Sequence, residues 1–163
     1  MNANEQLIQR FYAAFQQRDA ATMVACYGPQ VQFSDPVFTG LQGARAGAMW
    51  KMLCERGKDL KIEFRDVRAD DKTGSAHWDA WYSFSATGRK VHNSIDASFE
   101  FAGGRIVRHT DRFDLHRWAS QALGLPGMLL GWTPLLQNKI RAMAAKGLDD
   151  YLAKAAPTTA SAG

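Results

Sequence analysis

The chain has 163 residues, 46% hydrophobic and 22% charged, with a formal net charge of +4. That length and composition fit one soluble domain with a single substantial core. The cations are interspersed with acids and no Lys/Arg run exceeds two residues, which argues against a nucleic-acid groove. No apolar run reaches the roughly 18 residues of a membrane span. No basic n-region followed by an apolar stretch opens the chain, so a cytoplasmic location is expected. Cys26 and Cys54 lie far apart, with no His or Cys at ligand spacing. They read as buried free thiols in a reducing compartment, and no metal or cofactor is expected.

Leu7, Ile8, Phe11 and Phe15, with Tyr12 beside them, recur at helical spacing and predict an amphipathic helix from Glu5. Asp19 stands where an N-cap belongs, ahead of a short second helix stopped by Gly28-Pro29. Val31 to Phe38 alternates as a strand until Pro36, which cannot donate to a ladder. Asp35 therefore lies at a strand end or bulge, where a side chain is re-aimed, or is a simple turn residue. Gly40 and Gly43 turn the chain into a helix over Ala44 to Arg56, with Ala48, Met49, Met52 and Leu53 inward and Gly57 ending it.

Leu60 to Val67 alternates as a strand with Leu60, Ile62 and Phe64, continued by Asp66, on one face. Asp70 to Gly74 is a hairpin turn. The next strand, Ser75 to Ala86, sets Trp78, Ala80, Tyr82 and Phe84 against His77, Asp79, Trp81, Ser83 and Ser85. After Thr87-Gly88, Val91, Asn93, Ile95, Ala97, Phe99 and Phe101 form one face and His92, Ser94, Asp96, Ser98 and Glu100 the other. Asn93 interrupts the apolar face, and its amide needs partners, so it points at a cavity or a buried network.

Gly103-Gly104 leads into a last strand. Period two puts Val107, His109, Asp111 and Phe113 on one face and Ile106, Arg108, Thr110 and Arg112 on a solvated one. An Asp buried between apolar neighbours costs several kcal/mol unless paired or neutralised. A cavity lined by this face is the economical explanation; the alternative is an edge strand with His109 and Asp111 facing water. Leu115 to Ala122 predicts a short helix closed by Gly124, and Leu125 to Trp132 an apolar loop. Thr133 then N-caps a final helix with Pro134 first. Its stripe is Leu136, Ile140, Met143, Leu148, Tyr151 and Leu152.

The expected fold class is α+β: a cone-shaped, curved antiparallel sheet with N-terminal helices enclosing a pocket, plus a C-terminal helical extension. The expected parts are a cone domain over 1–122, an apolar loop and helix over 123–156 packed on the cone mouth, and a disordered tail over 157–163. The last helix lacks a strongly basic polar face, so no membrane contact is expected. Trp81 on the outer face suits a homodimer contact or is one exposed aromatic.

Four stretches together resemble the nuclear transport factor 2 superfamily, in its SnoaL-like and ketosteroid-isomerase-like branch. They are Ile8-Gln9-Arg10-Phe11, Ser34-Asp35-Pro36-Val37, Thr87-Gly88-Arg89-Lys90-Val91 and Gly104 to Asp111. The resemblance covers about Glu5 to Trp118. It implies that Asp35 corresponds to the proton-transferring base of ketosteroid isomerases, where the base works beside an oxyanion hole of a Tyr and a protonated Asp. Phe11 falls at the position of that Tyr. For the second acid, Asp96 and Ala97 compete, and strand alternation puts Ala97 inside. The resemblance also implies that Asp111, with His109 two residues before it, matches the general acid-base of SnoaL-like cyclases.

The expected activity is cofactor-independent proton transfer by an isomerase, cyclase or epoxide hydrolase on a small apolar carbonyl- or epoxide-bearing ligand. Asp35 would be the base and Asp111 with His109 the acid or orienting pair. Asn93 and Tyr82 would bind the ligand oxygen, with Trp78, Phe11, Phe84 and Phe113 as apolar lining, although the aromatics equally suit ordinary core packing. The alternative is a non-catalytic ligand-binding or dimeric interaction domain, since the fold hosts both.

Overall fold

A computed structural model describes residues 1–155, so the expected tail over 157–163 lies outside the described residues. Helix α1 (Ala3–Gln16) is capped by Asn2, whose side chain accepts from the Glu5 amide at 2.8 Å. Helix α2 (Ala20–Ala25) starts at the predicted Asp19 cap. Strand β1 (Tyr27–Ser34), the short β2 (Leu41–Gln42), α3 (Ala44–Arg56) and β3 (Lys61–Ala69) follow. The chain continues through β4 (Thr73–Ser83), β5 (Lys90–Ala102), β6 (Arg105–Arg112), α4 (Leu115–Leu123), α5 (Leu125–Leu130) and α6 (Pro134–Ala155).

The architecture is the expected α+β one: a six-stranded sheet in the order β2-β1-β6-β5-β4-β3 with helices against its inner face. Every pairing is antiparallel except one. β1 runs parallel to β6, from Tyr27 beside Ile106 to Ser34 beside Thr110. β1 also begins before the expected Val31, taking in Gly28 and Pro29. Its register shifts between Tyr27 and Gln32, so Pro29 falls in the irregular stretch where no ladder donor is needed.

Two other irregularities move side chains across the sheet. Between β5 and β6 the register slips so that Phe101 faces Ile106 while Glu100 faces Arg108. Ile106, expected on the solvated face, is therefore wholly buried. In β3 the pairing shifts between Arg65 and Arg68, and Asp66 has a φ of 57°. Asp66 is consequently exposed, and Val67 and Ala69 pack against the core instead.

The core lies between the inner sheet face and α1 to α3. Ile8, Phe11, Tyr12 and Phe15 from α1 meet Trp50 and Met49 from α3 and Phe33, Trp78, Phe99 and Ile106 from the sheet. Ala46, Met49 and Trp50 are the most buried residues of α3, whereas Ala48 and Leu53 are only half-buried.

The stretch from Leu125 is a short helix rather than a loop. In α6, Leu148 is fully buried and Ile140 nearly so, but Met143 is exposed. α6 lies along α3, tied by Arg45–Asp149 at 2.7 Å and by the Tyr151 hydroxyl donating to Glu55 at 2.9 Å. Arg141 Nε also donates to the Pro36 carbonyl at 2.9 Å. No helix among the described residues is long and apolar enough to cross a membrane.

Candidate active site

The parallel pairing of β1 with β6 positions the two acids. Phe33 lies beside His109 and Ser34 beside Thr110, so the paired stretch ends one residue before Asp35 and one before Asp111. Phe33 and His109 are wholly buried, Asp111 is 2% exposed, and Asp35 feels the charge of Asp111. Pro36 ends the ladder. Asp35 sits in the bend that follows, half-buried, with Oδ1 accepting from the Val37 amide at 2.7 Å and the Phe38 amide at 2.6 Å. Desolvation pushes its carboxyl up to about 7. The Phe38 and Val37 amides pull the other way, and the charge of Asp111 adds to the rise.

Asp111 is 2% exposed. Its Oδ1 accepts from Trp78 Nε1 at 3.3 Å and lies 2.9 Å from His109 Nε2. His109 Nδ1 is 2.8 Å from the Tyr27 hydroxyl, which accepts from Trp50 Nε1 at 2.7 Å. An indole N–H only donates, so the Tyr27 hydroxyl accepts from Trp50. With its own proton directed to His109 Nδ1 and the Nε2 proton to Asp111, every member of the chain has a partner. Burial holds the Tyr27 hydroxyl well above the ordinary phenol range, which suits a donor.

The His109 ring is enclosed by Trp50, stacked at 5.9 Å, and by Phe33, Phe99 and Phe11 at 5.0, 4.4 and 5.5 Å. Phe11 is itself wholly buried and stacks on Tyr27, and Trp78 is almost as enclosed. Thus Phe11, Trp78 and His109 belong to a packed aromatic layer, and the cavity expected along the whole inner face of β6 is filled by rings at this end.

The other end is looser. Tyr82, Phe84 and Phe113 are half-buried, as is Asp35. Ala80 pairs with Asn93 and Tyr82 with Val91, which sets Asn93 and Tyr82 near each other on the inner face. Burial raises the Tyr82 hydroxyl, which accepts from Trp118 Nε1 at 2.7 Å and also feels the charge of Asp35. Asp35 is therefore coupled to Asp111 on one side and to Tyr82 on the other. Asn93 is 9% exposed.

The Tyr12 hydroxyl is the one fully enclosed side-chain polar atom without a partner among the described residues. Asp111 Oδ2 and the Asn93 amide also make no hydrogen bond among the described residues, and their residues are 2% and 9% exposed. Two depressions lie elsewhere, on the outer sheet face, around Arg65, Arg68, His77 and Asp96 and around Gln32, Gln42 and Arg108.

Sequence reasoning missed Tyr12, Tyr27, Trp50 and Trp118. Phe11 falls at the relevant family position, yet it is the Tyr12 hydroxyl that is inside and feels the charge of Asp111. The predicted second helix runs up to Gly28-Pro29 and so takes in Tyr27, which instead opens β1. Trp50 lies beside Met49 on the inward stripe of α3, the one available signal.

His77, Asp79, His92 and Asp96 stand on the outer face, as predicted. His92 Nε2 and His77 Nδ1 each lie 2.9 Å from a carboxylate oxygen, of Asp79 and Asp96 respectively. No group of three or more His, Cys, Asp or Glu among the described residues is arranged to hold a metal ion.

Residues 8–109 match the SnoaL-like domain. The chain belongs to the SnoaL-like family. The SnoaL-like match stops two residues short of Asp111 and leaves α4 to α6 outside it. Solved structures agree on the fold. A protein from Jannaschia sp. CCS1, assigned as a SnoaL-like polyketide cyclase, superposes with a TM-score of 0.66 at 13% identity, covering 76% of this chain and 93% of that one. An LEH-like epoxide hydrolase of M. tuberculosis gives 0.60 at 19% identity, covering 79% and 96%. AclR of Streptomyces galilaeus, assigned as a hydroxylase, gives 0.62 at 16% identity, covering 84% and 98%. No curated protein matches the sequence.

Proposed function

We propose that this SnoaL-like protein transfers protons, without a cofactor, on a small apolar ligand bearing a carbonyl or an epoxide. The observation that supports this reading is the β1–β6 register, which pairs Ser34 with Thr110 just ahead of the two acids, together with the charge of Asp111 felt at Asp35. Two carboxyls in one low-dielectric space resist ionising together, so one of them holds its proton near neutral pH. Asp35 takes that place: it is pushed up to about 7 and stands at the looser end. Near that pH it gives or accepts a proton with comparable ease, as a general acid-base should. Asp111, fixed through Oδ1 by Trp78 and His109, offers Oδ2 to the same space as base or electrostatic partner. Asn93 and Tyr82 hold the ligand oxygen, and Phe84 and Phe113 form the apolar wall. His109 orients Asp111 and does not touch ligand. The reaction is an isomerisation, a cyclisation or an epoxide opening by water, and the names of the fold neighbours are compatible with the last two.

A second reading, a ligand-binding domain without turnover, is favoured by the filled aromatic end and by the Tyr82 hydroxyl already paired with Trp118. A homodimer through the outer face fits Trp81, which is half-buried between the stacked His92 ring at 4.5 Å and Lys61. The deciding experiment is turnover on a panel of apolar epoxides and enolisable ketones by wild type, Asp35→Asn and Asp111→Asn. Proton-transfer catalysis predicts activity that falls about 10²- to 10⁴-fold in either variant. Binding without conversion, or full rates in both folded variants, contradicts it.

A further inference from the structure

Helix α5 is built inside out. Its packing face is glycine: a Cβ on Gly127 would stand 1.9 Å from the Ala119 carbonyl oxygen of α4. His116 Nε2 closes the contact by donating to the Met128 carbonyl at 2.8 Å. With glycine inward, the apolar side chains turn outward. Leu125, Met128, Leu129, Leu130 and Trp132 are 53 to 65% exposed, and Leu135 at the start of α6 is 84% exposed. Surface helices ordinarily bury such side chains, and an apolar patch left contiguous on a surface marks a contact site.

Within the segment that carries this patch the charges have one sign. Between Asp114 and Asp149 the chain carries Arg117, Lys139, Arg141 and Lys146 and no acid. Arg89 lies against Gly124 at the start of α5, with Nε donating to the Gln121 carbonyl at 2.8 Å, and Lys90 follows it. A second copy of this chain docked face to face would set those cations against each other. A bilayer carrying anionic lipid complements both the leucines and the cations.

We propose that α5 and the first turn of α6 form a docking surface for an anionic phospholipid bilayer. Trp132 sits at the headgroup level, Leu125, Met128 and Leu129 enter the acyl boundary, and Arg89, Arg117 and Lys139 meet lipid phosphates. The last helix taken alone predicts no membrane contact; the glycine packing of α5, which presents the apolar residues outward, reverses that expectation.

The test is co-sedimentation of the full chain with phosphatidylcholine vesicles, with and without phosphatidylglycerol. Binding is expected only with the anionic lipid, with a blue shift of Trp emission and loss at high salt. Leu129→Ser/Trp132→Ser, both at exposed positions, should lower partitioning at least about tenfold. Arg117→Ala should lower it about fivefold. Circular dichroism should show both variants folded. Three results would overturn the proposal: no binding to either vesicle, binding indifferent to the double substitution, or vesicle-free self-association that the double substitution abolishes. The last would assign the patch to a second copy.

Discussion

The inner and outer faces of this sheet carry the same residue types under opposite conditions. Inside, His109 and Asp111 join Tyr27, Trp50 and Trp78 in a chain of hydrogen bonds closed off from water. Outside, on β4 and β5, His77, His92, Asp79 and Asp96 form contacts of similar length, with the Asp96 side chain well exposed, that of His92 partly so, and those of His77 and Asp79 less than a fifth exposed. Burial separates the two sets. Within the aromatic layer a lost partner strands another group; on the outer face, closer to water, solvent takes over part of what is removed. A chemistry that needs a carboxyl far from its ordinary range belongs on the inner face, where Asp35 is found.

The largest expected contrast is in stability. His109→Ala should cost about 3–5 kcal/mol, because it opens a cavity and strands both the Tyr27 hydroxyl and the Asp111 carboxylate. His77→Ala should stay within about 1 kcal/mol. Paired denaturant titrations check this, and equal costs would erase the distinction between the faces.

A pH test comes next. Asp35 in the folded chain is pushed up to about 7, above its unfolded value near 4. Holding it neutral favours the fold, so its contribution is fully present below about pH 4 and is lost as pH rises through 7. Asp35→Asn should therefore gain stability over wild type as pH goes from 5 to 8, while its Oδ1 still accepts from Val37 and Phe38. A gap that does not widen with pH would mean that Asp35 is solvated.

The smallest effect concerns Tyr12. Its enclosed hydroxyl has no partner among the described residues, so Tyr12→Phe should be neutral or stabilising by up to about 1 kcal/mol. A loss of more than about 1 kcal/mol would show that the hydroxyl is bonded to a bound water.

Local pattern carried much of this. The uninterrupted period of two in β4 and β5 assigns the side chains of His77 to Ser83 and of Val91 to Glu100 to their faces, and Asp19, Gly57 and Thr133 mark helix ends where the sequence places them. What local pattern misses is irregular or distant. Ile106 and Asp66 lie at register slips, where a period extrapolates to the wrong face. The adjacency of Asp35 and Asp111 rests on a parallel pairing between remote strands, which periodicity does not encode. The family resemblance suggested both acids separately; the register joins them. Leu125 to Leu130 is apolar in any reading, and only the glycine contact with Ala119 decides that these side chains face out.

The most direct measurement is a carbon-13 NMR titration of the Asp35 side-chain carboxyl in wild type and in Asp111→Asn. Coupled acids in a shared interior predict a wild-type midpoint near 7 that drops when the neighbouring charge is removed. A midpoint near 4, or one that Asp111→Asn leaves in place, would contradict it.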